Sequence, residues 1–132
     1  MLVLIMDAER VRAQLDRILA SAAFADAERA SSFLGFVVNR VLEKRAGEIK
    51  ESVIAVEALG RSPSFDSKSD PIVRVEARRL QDRLDSYYRR EGAKDRVVIT
   101  LPKGAYVPEF SERQPTAPPP PGKPRSALLR AG

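Results

Sequence analysis

Four arginines fall within ten residues of this chain: Arg74, Arg78, Arg79 and Arg83. A guanidinium is a flat fork of donors. It bridges O6 and N7 of guanine, a contact worth about 1–3 kcal/mol of base discrimination, and it also grips phosphate. Placed on a helix at about 100° per residue, Arg78 and Arg79 point away from the apolar stripe together with Val75 and Asp82. Arg74 sits on the flank. Recognition helices read base edges from their N-terminal half, where these arginines lie. Arg78 and Arg79 are therefore candidates for base contact, and Arg74 and Arg83 for phosphate. Lys103, in Pro102-Lys103-Gly104, is a candidate anchor on the backbone or in a narrow minor groove. Lys68 and Ser69, just before the helix, could add backbone contacts. A solvated helix supported by an Arg78–Asp82 pair one turn apart would show the same pattern, so the angles leave both readings open.

Other chemistries lack their residues. There is no Cys, which excludes disulfides, zinc fingers and thiol catalysis. There is no His, so a Ser-His-Asp triad cannot be built and the usual base near neutral pH is missing. Trp is absent and aromatics are 6%, too few for broad single-strand stacking platforms. Asp82 and Asp85, one turn apart on an exposed helix, are an ordinary carboxylate pair. Pro102-Lys103-Gly104 lacks the spaced glycines and following helix of a phosphate-binding loop. No enzyme, cofactor or metal is expected.

The charge is uneven. Of 132 residues, 23 are Lys or Arg and 18 Asp or Glu, a net charge of +5. Residues 1–60 carry 8 basic and 9 acidic side chains, whereas residues 61–132 carry 15 and 9. Such asymmetry suits a C-terminal half that meets a polyanion, and also suits a solvated basic face.

The elements that must position these residues follow from apolar spacing. Asp7 to Ala20 is a predicted helix, with Val11, Leu15, Ile18 and Leu19 on one face and Asp7 as N-cap. Asp26 to Arg45 is a longer helix with a stripe of Ala30, Phe33, Leu34, Val37, Val41 and Leu42, ended by Ala46-Gly47. Gly35 inside it costs about 1 kcal/mol against Ala; either a tight backbone contact or a tolerated defect would account for it. Lys50 to Leu59 is a third helix, carrying Val53, Ile54, Val56 and Leu59. The polar stretch 61–69 is turn-rich, with Phe65 reaching for the core. Asp70-Pro71 opens a fourth helix that runs to Arg90, its buried stripe made of Val73, Ala77, Leu80, Leu84 and Tyr87 or Tyr88. Strands follow at 97–101 and 105–110, joined by a turn at Pro102-Lys103-Gly104; Pro108 fits only an edge.

One domain is expected over residues 7–110, followed by a Pro-rich disordered tail over 111–132 with Pro118–Pro121 in a row. Met1-Leu-Val-Leu-Ile-Met6 is too short for a spanning helix and lacks the basic start of a signal peptide, so it reads as a ragged start with Met6 as alternative initiator. No membrane insertion and a cytoplasmic location are expected.

Helix, loop, helix and hairpin in that order match a winged helix-turn-helix. Val73-x-Val75-x-x-Arg78-Arg79-Leu80-x-x-x-Leu84 followed by Ile99-Thr100-Leu101-Pro102-Lys103-Gly104-Ala105-Tyr106 resembles the recognition helix and wing of OmpR/PhoB-type domains. Further motifs are Phe33-Leu34-x-Phe36-Val37-Val38, Lys50-Glu51-x-x-Ile54-x-Val56-Glu57, Phe65-Asp66, Asp70-Pro71-Ile72-Val73 and Tyr106-Val107-Pro108. With these the chain is more closely similar to a bacterial winged-helix domain found N-terminal to tetratricopeptide, TolB-like or adenylate-cyclase regions. The resemblance covers about residues 11–110. It departs from the OmpR/PhoB pattern in having two helices where an N-terminal sheet would stand. The wing carries Pro102-Lys103-Gly104-Ala105 in place of Arg-Gly-x-Gly. No receiver-domain motif and none of the downstream regions is read in these residues, so phosphorylation control is not implied and a stand-alone or truncated form is expected.

The fold class expected is thus mainly α with a C-terminal β-hairpin: a winged helix-turn-helix of four helices plus wing. The function expected is double-stranded DNA binding by a transcriptional regulator, with helix 71–90 in the major groove and hairpin 97–110 as wing. A homodimer would read half-sites about one helical turn apart. The alternative is a winged-helix interaction or signalling module that does not bind DNA.

Overall fold

Asp7 opens the first helix: its side chain accepts the Glu9 amide at 3.0 Å and supplies an acceptor that a helix start lacks. In the computed structural model, which describes residues 7–113, this helix is α1 (Ala8–Leu19). The apolar start and the Pro-rich stretch from Gln114 lie outside the described residues. α2 (Glu28–Leu42) buries Phe33, Leu34, Val37 and Val38 completely and forms the centre of the core. It ends before the expected Ala46-Gly47. Lys44 takes a left-handed conformation at φ 63°, and the Arg45 amide reaches back to the Arg40 carbonyl at 2.8 Å, which closes the helix. Residues Ala46–Glu48 form a 3-10 turn instead. Nothing lies within 4 Å of a Cβ built on Gly35, so that glycine is a tolerated defect rather than a close approach.

The third helix also differs from its expected form. α3 starts with one α-helical turn (Glu51–Val53) and continues as a π-helix (Ile54–Ala58). In a π-turn the amide bonds five residues back, as the Leu59 amide does to the Ile54 carbonyl at 3.1 Å. Ile54 and Leu59 therefore share a face, and Ala55 is buried while Val53 and Val56 are only half-buried.

α4 (Ile72–Arg89) buries Ile72, Val73, Ala77, Leu80, Leu84 and Tyr87, close to the expected stripe. Its start is capped as the Asp70-Pro71 pair implies, with Asp70 Oδ1 accepting the Ile72 amide at 3.1 Å. Phe65 packs against the core from the preceding loop. After α4 come two antiparallel strands, β1 (Val97–Thr100) and β2 (Glu109–Glu112), paired from Val97 with Glu112 to Thr100 with Glu109.

The returning strand is therefore later than the expected 105–110, and it runs past Phe110. Residues 101–108 form a long loop. A tight turn does occur at Pro102–Ala105, with the Ala105 amide on the Pro102 carbonyl and Gly104 at φ 75°, a conformation that suits glycine. It does not close the ladder, because Pro108 has no amide to donate and is buried, and Tyr106 packs near Phe33 with ring centroids 6.3 Å apart.

The chain is thus mainly helical, with four helices and one two-stranded antiparallel hairpin among the described residues. A buried polar seam ties the ends together. Asp95 accepts from Gln14 at 2.9 Å, from Arg17 at 2.8 Å and from the Tyr87 hydroxyl. Burial pushes the Asp95 carboxyl up, but donors from Tyr87, Gln14 and Arg17 outweigh it and hold it below the ordinary range. Burial first, then the bond to Asp95, pushes the Tyr87 hydroxyl up to about 12. Gly92 allows the seam: a Cβ there would sit 2.1 Å from the Tyr87 ring. No described helix is long and apolar enough to cross a membrane.

Candidate nucleic-acid interface

The apolar stripe of α4 faces the core, so its outer face carries what is left: Arg74, Val75, Arg78, Arg79 and Asp82, then Asp85 and Arg89 toward its end. Among the described residues, Val75 is one of two large apolar side chains that stand well exposed, at 41%. The hairpin loop lies along one flank of this helix. Gln81 Nε2 donates to the Pro102 carbonyl at 3.2 Å and holds the loop there. Between helix and loop runs an open groove of about 430 Å³, lined by Arg74, Arg78, Gln81, Lys103 and Tyr106 among others. Arg74, Arg78 and Lys103, which the sequence separates by up to 29 positions, thus meet in one place.

Their surroundings differ. The Arg78 side chain is 73% exposed, and its nearest carboxylate is Asp82 at 3.8 Å, too long for a firm bond. Lys103 is exposed on the loop tip beside Gly104. Arg74 is engaged from two sides: it donates to Glu51 Oε2 at 3.1 Å and to the Ser67 carbonyl at 3.2 Å. Glu51 Oε1 also accepts from the Tyr106 hydroxyl at 3.4 Å. Burial first, then the Glu51 charge and hydrogen bond, raises the Tyr106 hydroxyl above its usual value.

The remaining candidates lie elsewhere. Arg79 and Arg83 line the opposite flank of α4, next to Ala22 and Ala23 of the α1–α2 connection. Arg79 donates to Glu76 at 3.0 Å, and Glu76 is buried and also pairs with Arg29 of α2 at 3.6 Å. Arg83 donates to the Ala23 carbonyl at 2.7 Å. Glu91 accepts the Ala22 amide at 3.0 Å in the same connection. Lys68 and Ser69 are exposed in the loop before α4, but the Lys68 amide and the Ser69 hydroxyl are bonded to Asp66. This loop reaches the groove only through the Ser67 carbonyl on Arg74.

The sequence reading assigned no partner to three contributors: Glu51, known only as part of a motif, Gln81, and Glu76, which with Asp82 spoke for the interaction-module alternative. Glu51 and Gln81 act through partners 23 and 21 positions away, a distance that spacing does not reveal. Glu76 was readable: it precedes Ala77 and lies four residues before Leu80, on the stripe side of α4.

Comparison with protein-family models, curated proteins and solved structures gives no match to this chain.

Proposed function

We propose that residues 7–112 form a winged helix-turn-helix DNA-binding domain of a transcriptional regulator, with α4 as the recognition helix in the major groove and the hairpin as wing. The observation that carries this reading is the meeting of Arg78 and Lys103 on one open groove between the helix and the hairpin loop. Two cations in separate elements, both exposed, suit the two surfaces of duplex DNA: a base edge for the helix and a phosphate for the loop. Arg78 reads guanine, and Val75 meets a thymine methyl beside it. Lys103 anchors the loop on the backbone. α3 braces α4 from behind through Glu51 and Arg74. The resemblance of residues 11–110 to OmpR/PhoB-type domains supports the same assignment. A single small module buries little surface, so a homodimer on paired half-sites completes the site. Such a role places the protein in the bacterial cytoplasm.

One observation favours the alternative, a protein-docking face. Glu51, Glu76 and Asp82 offset much of the positive charge of α4. Selection from a random duplex library at two salt concentrations separates the two. DNA reading predicts an enriched motif containing guanine that is lost in Arg78→Ala. Absence of binding at low salt overturns it and leaves the docking face.

A further inference from the structure

Arg74 is placed as a phosphate contact would be, on the groove beside Arg78 and Lys103, yet it is the one cation of the three already spoken for. Its guanidinium bridges two elements, with Glu51 of α3 on one side and the Ser67 carbonyl of the loop before α4 on the other. Glu51 uses both carboxylate oxygens, one for Arg74 and one for Tyr106 of the hairpin loop. Its side chain is 23% exposed, and it projects from the first turn of α3. Three separate segments are thus pinned by a single carboxylate.

We infer that Glu51 is a positioning residue of the proposed DNA interface: it withholds the Arg74 charge from phosphate and sets the hairpin loop against α4. The logic is electrostatic. Phosphate contacts dominate sequence-independent binding, and each adds about 0.9 to the slope of log K against log salt. A cation neutralised by its own carboxylate does not release counterions from DNA. Withholding Arg74 lowers affinity for every sequence alike, so total binding falls while discrimination among bases stays with Arg78. The same bond set fixes the loop, since Tyr106 is held at its hydroxyl by Glu51 and at its ring by Phe33.

This inference rests on the DNA-binding reading, and one titration series separates the two. Binding of the full chain to a mixed-sequence duplex is measured across salt for wild type, Glu51→Gln, Arg74→Ala and the double variant. The expected result is a slope steeper by about 0.9 in Glu51→Gln, with tighter non-specific binding. Arg74→Ala alone keeps the wild-type slope, and the double variant returns to it. A purely structural role for Glu51 would change melting temperature without this slope pattern. Should Glu51→Gln fail to fold, Arg74→Ala alone decides: a slope shallower by about 0.9 means that Arg74 already contacts phosphate and overturns the inference. Binding by wild type with an identical slope in Glu51→Gln overturns the inference and leaves the DNA reading standing. Binding by none of the four proteins overturns both.

Discussion

The two flanks of α4 carry the same residue type and use it differently. On the hairpin side, Arg78 stands in an open groove with a distant carboxylate and with Lys103 opposite. On the connector side, Arg83 reaches the Ala23 carbonyl and Arg79 reaches buried Glu76. An arginine that commits a donor to a buried or backbone acceptor is tethered there and serves the fold. An arginine left in solvent keeps its fork available for a base or a phosphate. Count and spacing of arginines cannot separate the two, because what differs is the partner supplied by another element.

Several variants would break or sharpen this contrast, and the largest effect belongs to the fold. Asp95→Ala strands the Tyr87 hydroxyl and leaves the Gln14 amide with only Tyr88 in the buried seam, and should cost about 3 kcal/mol in chemical denaturation, with duplex binding retained while the protein is folded. Arg78→Ala should lose about 1–3 kcal/mol of base discrimination in competition binding. Its stability should stay within about 0.5 kcal/mol of wild type, as for an exposed site. Arg83→Ala should do the reverse, losing about 1.5 kcal/mol of stability with binding intact. Gly35→Ala should add up to about 1 kcal/mol, since a Cβ there meets open space in the middle of α2.

The seam also sets a pH dependence at both ends of the range. The Asp95 pKa is depressed in the folded state, so its contribution is present above the ordinary Asp range and is lost as pH falls through the lower folded value. The Tyr87 pKa is raised to about 12, so its contribution is intact below the ordinary Tyr value and is lost as pH rises through about 12. Thermal melts across pH should show both losses. In Tyr87→Phe the alkaline loss should shrink.

Much of the helical frame was legible. α1, α2 and α4 each carry an apolar stripe at helical spacing, and Asp7 and Asp70 mark the starts of α1 and α4 by side-chain chemistry that the structure uses, whereas α2 has no such cap and begins at Glu28 rather than Asp26. What escaped has identifiable causes. The π-turn of α3 places Ile54 under Leu59, a five-residue repeat invisible to a 3.6-residue template. α2 stops at a left-handed Lys44, where a glycine would have been the readable signal. β2 begins only after Pro108, since the turn at Gly104 is a feature of the loop and does not close the strand pair. At the groove, helix angle marked Arg78 as exposed and hairpin order put Lys103 at a loop tip, but their meeting depends on Gln81 holding that loop against α4, which spacing does not show. The diversion of Arg83 did not show, because its acceptor Ala23 lies 60 positions away, whereas the Arg79–Glu76 pair, three positions apart, was within reach of the sequence.

The contrast between the flanks is tested most directly by measuring Arg78→Ala and Arg83→Ala side by side, for binding to a library-selected duplex and for melting temperature. The account predicts that Arg78→Ala loses selective binding at an unchanged melting temperature, and that Arg83→Ala melts lower while binding as wild type. Equal binding losses in both, or a binding loss confined to Arg83→Ala, would contradict it.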